Sequence, residues 1–254
     1  MRPVILDLDR VLTAAAAAAR VRDQGFAVLT PEALAGVAGH DLGELAGLVP
    51  FWDDLPADEF LKDLGRYRWR RHGCGVVQVH GEAAEYTPVP ARAHWQSTDY
   101  NALHGGIERW FAPVDPRMAG AAVWRDLIGR LGSCFARVRA PADGRWFVEA
   151  HPFRIDTCEG IGRPTPEGAH RDGVDFVAVI FVGRAGIQGG ETRVFEAAGP
   201  RGVRFTLEVP WTALLLDDTR VIHESTPIRP LDGAGGHRDT LVLTYRAGGF
   251  QAPG

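Results

Sequence analysis

His170, Asp172 and His223 are the side chains of this 254-residue chain best suited by type and spacing to do chemistry. His170 and Asp172 stand two apart in Pro164-Thr-Pro-Glu-Gly-Ala-His170-Arg-Asp172-Gly. In extended backbone that spacing sends both side chains to one face, where they can reach one ion together. Gly168 and Gly173 flank the pair and permit a close approach of backbone. His223 ends a later β-type run, Thr219-Arg-Val-Ile-His223, and can meet the pair across a barrel. Two imidazoles and one carboxylate form the facial set that holds Fe(II) and leaves positions open for other ligands. A His-x-Asp triplet alone is a weak motif. Its setting, a Gly/Pro-rich loop just ahead of an apolar strand, strengthens it.

The same three letters recur as His237-Arg238-Asp239, but no histidine follows to complete a ligand set. Arg238 and Thr240 alternate onto one face, opposite His237 and Asp239. A guanidinium fork beside a hydroxyl is a grip for a carboxylate. Further polar candidates lie upstream. Arg154, in Glu149-Ala-His-Pro-Phe-Arg154, sits on the expected first barrel strand and could hold a substrate or cosubstrate carboxylate. Gln96, Tyr100 and Asn101 form a polar-aromatic cluster that could read an amino or carboxyl group. Glu167 precedes His170 by three residues and could line the mouth of the site, orient a ligand or stand as a solvated loop charge.

These residues need a scaffold. From Trp146 onward the chain reads as about seven short β-type runs separated by Gly, Pro and Asp, among them Phe176–Val182, Ala213–Leu216 and Thr240–Tyr245. That pattern predicts a mainly β protein with flanking helices, built on a double-stranded β-helix of the jelly-roll or cupin type. The first half predicts helices: Thr13 to Asp23 closed by Gly25, a second opened by Pro31, a short one over 58–64 capped by Asp58, and a longer one within 118–137. Phe26 to Thr30 reads as a strand. A single domain spanning 1–254 follows, with 1–140 as mostly helical support and 141–254 as the jelly-roll core.

Composition limits the partners. Hydrophobic residues make up 45% and charged residues 24%, enough for a large core and against disorder. The net charge of -4 gives no basic excess to attract nucleic acid or anionic lipid. The run Ala14 to Ala19 is too short to cross a bilayer. Three cysteines without a Cys-x-x-Cys pair give neither a disulfide framework nor a zinc knuckle. With no signal-peptide pattern at Met1 to Arg10, a cytoplasmic protein acting on a small molecule is expected. Lys62 is the lone lysine, every other basic side chain being arginine. Nothing in the sequence fixes the oligomeric state.

Taken together, Pro164–Gly173, Gly189-Gly-Glu-Thr192, Leu216-Asp-Asp-x-Arg220, His223-x-x-Thr226-Pro-Ile and Gly236-His-Arg238-Asp resemble the 2-oxoglutarate/Fe(II) dioxygenases. They resemble in particular the bacterial branch that hydroxylates free amino acids such as L-isoleucine. The similarity extends upstream through Arg68-Trp-Arg-Arg71, Trp95–Asn101 and Gly105–Arg109. It implies Fe(II) on His170, Asp172 and His223, and 2-oxoglutarate as cosubstrate with its far carboxylate on Arg238 and Thr240. It also implies O2 consumption, release of succinate and CO2, and hydroxylation of a small substrate. Related halogenases carry a small residue where Asp172 stands, so the carboxylate here points to hydroxylation. Two rivals are weighed against this reading. Val4-Ile-Leu-Asp7-Leu-Asp9 resembles the first motif of haloacid-dehalogenase-type phosphatases, and Leu214–Asp218 their late Mg²⁺-binding pair. The alternative to both is a cupin-like metal-binding barrel without oxygen chemistry.

Overall fold

The structure is a computed structural model that describes residues 13–63, 65–101, 103 and 105–253. Thr13 accepts a hydrogen bond from Ala16 N–H and starts helix α1 (Ala14–Gln24), and Gly25 at φ 89° ends it. Strand β1 (Phe26–Leu29) follows directly. Thr30 and Pro31 then open α2 (Pro31–Ala38), and an Asp41–Glu44 capping box opens α3 (Leu42–Ala46). Three strands come next: β2 (Arg68–Arg70), β3 (Gly73–His80) and β4 (Ala83–Pro88). After α4 (Pro116–Gly120) and α5 (Ala122–Val138) the chain runs through β5 (Arg145–Asp156), β6 (Phe176–Ala185), β7 (Ile187–Gly189), β8 (Glu191–Glu196), β9 (Gly202–Thr206), β10 (Ala213–Asp217), β11 (Val221–Ser225), β12 (Ile228–Pro230) and β13 (His237–Arg246).

The large sheet has the order β1-β10-β6-β13-β5-β3-β4, with β2 pairing β5. Its recorded strand pairs are antiparallel. Two smaller sheets, β11-β8-β9 and β12-β7, oppose it. The protein is therefore mainly β, a double-stranded β-helix with helices on the outside of the large sheet. Both faces of that sheet are covered, and alternation sorts the residues. Phe176, Ala178 and Ile180 of β6 join Leu215, Leu243, Leu131 and Phe135 in the core under the helices. Val177, Leu214, Leu216 and Phe26 face inward with Val194 and Val221 of the small sheet. Two-sided burial explains why β6 and β10 read as unbroken apolar runs.

Three expectations change. No helix forms over 58–63: Asp58 accepts from Phe60 N–H at 2.9 Å and pairs with buried Arg68 at 2.7 Å, but only turns follow. Residues 68–88 are not part of a helical support but extend the large sheet as β2, β3 and β4. The late acidic pair of the phosphatase reading serves the fold: Asp217 accepts from Thr219 and Arg139, and Asp218 caps a loop described below. Asp7 and Asp9 lie outside the described residues. An antiparallel barrel lacks the alternating strand–helix order that the phosphatase fold requires, and that reading is set aside. Among the described residues no helix is long and apolar enough to cross a membrane.

Candidate active site

The loop before β6 and the middle of β11 meet edge to edge. His170 and His223 exchange two backbone hydrogen bonds of 3.0 Å, an isolated antiparallel bridge that sets their side chains next to each other. Asp172 Oδ1 lies 3.7 Å from His170 Nε2, and Asp172 Oδ2 lies 3.9 Å from His223 Nε2. One donor atom from each residue lies within 4.8 Å of the others, a set that could hold one metal ion. His170 Nδ1 is 2.9 Å from Gly168 O. A carbonyl only accepts, so the proton is on Nδ1 and Nε2 faces the site with its lone pair free when the ring is neutral.

The loop is held from behind. Asp218, fully buried, accepts from the N–H groups of Asp172 (3.0 Å), Gly173 (2.8 Å) and Val174 (3.1 Å). Burial, and then the charge of Asp172, push its carboxyl up to about 7. Gly173 is needed here, because at φ +76° a Cβ would come 2.4 Å from the Tyr100 ring. Burial works against charge on His170 too, but the neighbouring Asp172 carboxylate outweighs it and raises the imidazole to about 10. Burial lowers His223 to about 4. With no ion present, His170 holds a second proton beside the Asp172 charge, and a metal has to displace it.

The cavity beside these residues, about 130 Å³, occupies the barrel interior. Arg238 and Thr240 of β13 project into it, both nearly fully buried. Arg238 Nε and Nη2, one edge of the guanidinium, have no partner. Two parallel donors left free in a buried site match a carboxylate that arrives as ligand.

The remaining expected residues divide. Gln96 and Asn101 line the cavity. Gln96 donates to Asp172 Oδ1 at 3.2 Å, while its carbonyl accepts from Arg109 at 2.9 Å and Asn101 at 3.1 Å. It therefore orients a member of the metal set, and its carbonyl is engaged by two donors. Tyr100 is outside the cavity lining, packed against the Gly173 loop and 36% exposed. Arg154 is on the opposite face of β5, where it forms two hydrogen bonds of 2.8 and 2.7 Å with Asp239 and one of 3.1 Å with Asp53. Its guanidinium is spent on that pair and is not brought to the cavity.

Arg68, Arg70, Arg109, His94, Glu149 and His151 also line the cavity but were not singled out from the sequence. A signal existed: Arg68-x-Arg70 and Glu149-x-His151 repeat with the period of a strand, so each pair shares one face. His72, His94, Glu149 and His151 form a second group with donor atoms inside 4.8 Å. The rings of His72 and His151 stack at 4.8 Å with planes 8° apart. An ion lies close to the plane of each imidazole that binds it, and two stacked planes share no such point. Arg70 also occupies His151 Nδ1 at 2.6 Å. This arrangement is a hydrogen-bonded cluster around Glu149, whose carboxylate takes a 2.7 Å bond from His94. Its histidine neighbours hold Glu149 ionised against its burial, and burial pushes His94 down to about 4 and His151 well below the usual imidazole range.

A jelly-roll barrel with two histidines and one carboxylate converging beside a buried arginine has the architecture of a mononuclear iron oxygenase. The comparisons agree. The model of the 2OG-Fe dioxygenase family matches residues 49–244, and this chain belongs to that family. The crystal structure of a bsmA homolog from Methylobium petroleophilum PM1 is 59% identical, covers 98% of this chain and 99% of its own, and superposes with a TM-score of 0.92. IDO from Bacillus thuringiensis shares the fold at 14% identity, with 95% and 98% coverage and a TM-score of 0.75. The Fe(II)/(alpha)ketoglutarate-dependent dioxygenase TqaL does so at 18% identity, with 92% and 88% coverage and a TM-score of 0.66. No curated protein matches the sequence. Fe(II), 2-oxoglutarate and O2 are thus the cofactor and cosubstrates that membership brings, and an oxygenase replaces the metal-only cupin alternative.

Proposed function

We propose that this protein hydroxylates a small substrate, a free L-amino acid or a close derivative, with 2-oxoglutarate as cosubstrate. The observation that carries the reading is one cavity holding both the His170–Asp172–His223 set and the unpartnered edge of Arg238. When bound, Fe(II) supplies the oxygen chemistry: O2 and 2-oxoglutarate are consumed, succinate and CO2 leave, and one oxygen atom goes to the substrate. The residues supply position. His170, Asp172 and His223 hold the ion, with Gly168 fixing one imidazole and Gln96 fixing the carboxylate. Arg238, beside Thr240, anchors the far carboxylate of 2-oxoglutarate. The amino-acid assignment rests on the motif resemblance and on the polar, charged lining of the cavity. Asp172 occupies the place a halide would need, so the product is an alcohol.

A screen of the proteinogenic amino acids with Fe(II), O2 and 2-oxoglutarate tests this, reading succinate and product mass together. Succinate formation with a gain of one oxygen on one amino acid is expected. Absence of succinate under all conditions would overturn the proposal, and a chlorinated product would overturn the assignment of hydroxylation.

A further inference from the structure

Buried groups of both signs line the cavity. Arg68, Arg70 and Arg109 form one group, with Asp58 and Glu149 as buried anions. Glu167 lies 3.5 Å from His170, beside Asp172, and its charge also acts on Arg109. A buried polar or charged group left without a partner is costly.

Several of these groups carry unused hydrogen-bonding atoms. Arg68 Nη2, Arg70 Nε and Arg109 Nε are buried donors with no partner, and Glu167 Oε2 is a buried acceptor with none; Glu149 Oε1 also lacks a hydrogen bond but has His72 3.5 Å away. Arg70 is held flat between the rings of Phe111 and Phe153, at 3.8 and 4.4 Å. Arg109 is one glutamine away from a metal ligand: its Nη2 donates to Gln96, whose amide donates to Asp172. An anion on Arg109 would therefore be seated beside the metal.

We infer that this cavity binds its substrate as a zwitterion, with the carboxylate on Arg109 and Arg68 and the ammonium on Glu167. The inference rests on the hydroxylase reading and adds to it the groups that recognise the substrate. A ligand carrying both a carboxylate and an ammonium fills the unused donors and the unused acceptor, whereas an amide, an ester or an N-acyl compound fills only one kind.

Saturation-transfer NMR with Zn(II) and 2-oxoglutarate present tests binding without turnover. The probes are the proteinogenic amino acids, their C-terminal amides and their N-acetyl forms. The wild-type protein is expected to bind at least one free amino acid, and at least tenfold tighter than its amide or its N-acetyl form. Arg109→Gln should weaken the free amino acid tenfold or more and leave the amide unaffected. Glu167→Gln should weaken it likewise and spare the N-acetyl form. Zn(II) and 2-oxoglutarate binding, measured separately on each variant, reports whether the site is assembled. Arg68→Gln must repeat the Arg109 result if Arg109→Gln does not fold. Equal binding of blocked and free forms, no binding of any free amino acid, or variants that bind it like wild type would overturn the inference. Succinate formation without free-amino-acid binding would overturn this inference alone. Zwitterion binding without succinate formation would overturn the hydroxylase reading alone.

Discussion

At the scale of single residues, the metal set depends on side chains that never touch an ion. Asp218 is the clearest case. Its two oxygens take the N–H groups of three consecutive residues, one of them Asp172, and so fix the path of the loop. Asp218→Asn keeps the size and loses one acceptor, turning an N–H donor toward backbone donors that then lack a partner. Partners behind a metal ligand are worth about 10–100-fold in metal affinity. A Co(II) titration of Asp218→Asn should show a loss in that range, with the far-UV circular dichroism unchanged. An affinity equal to wild type would mean that the loop keeps its shape without this carboxylate. Asp218 was not readable as a support from sequence, because Leu216-Asp-Asp gives no sign of which acid turns inward and which binds Arg139.

Among the elements, strand parity decides which side chains reach the cavity. On β13 the alternation of Arg238 and Thr240 was legible, since their neighbours Leu241 and Leu243 mark the helix-covered face. On β5 the same rule was available but needed a reference. Val148 and Ala150 lie under the helices, so Glu149, His151 and Phe153 turn inward and Arg154 outward. Knowing this requires knowing that β5 sits between β13 and β3, which no local pattern reveals. Strands β2 to β4 were hidden for a similar reason: β2 is three residues long, and its extended form depends on pairing with β5. The two arginines therefore make contrasting predictions. Arg238→Ala should raise the dissociation constant of 2-oxoglutarate by about 100-fold or more, since a buried charged pair is worth several kcal/mol when one partner is removed. Arg154→Ala should leave that constant unchanged. It leaves Asp239 buried without its partner, and the midpoint of thermal unfolding should fall by several degrees. Calorimetry of 2-oxoglutarate binding and a melting curve separate the two, and a large change of affinity in Arg154→Ala would mean that the two faces of β5 are coupled.

For the molecule as a whole, the metal site ties stability to pH in opposite senses with and without an ion. In the metal-free protein His170 is raised to about 10 from an ordinary 6.5. Its stabilising contribution is complete below pH 6.5 and disappears as pH rises toward 10. Asp218, raised to about 7 from 3.8, contributes below pH 3.8 and is spent by pH 7. Asp172 is shifted down, because the neighbouring His170 overcomes its burial, and it acts only in acid. The metal-free midpoint should therefore fall between pH 6 and pH 9. An ion takes the place of the His170 proton and offsets the Asp172 charge that helps raise Asp218, so the loaded protein loses most of that slope. Metal affinity rises up to tenfold per pH unit while one proton is released per ion. That corresponds to about 1.4 kcal/mol per unit, or about 3–6 °C in the midpoint for a chain of this size. Scanning calorimetry with and without Zn(II) and 2-oxoglutarate, at pH 6, 7, 8 and 9, should show the two midpoints separating as pH rises. Calorimetric titrations of Zn(II) in buffers of different ionisation enthalpy should count about one proton released at pH 7. Parallel curves, or no proton released, would show that His170 is already neutral before the ion arrives.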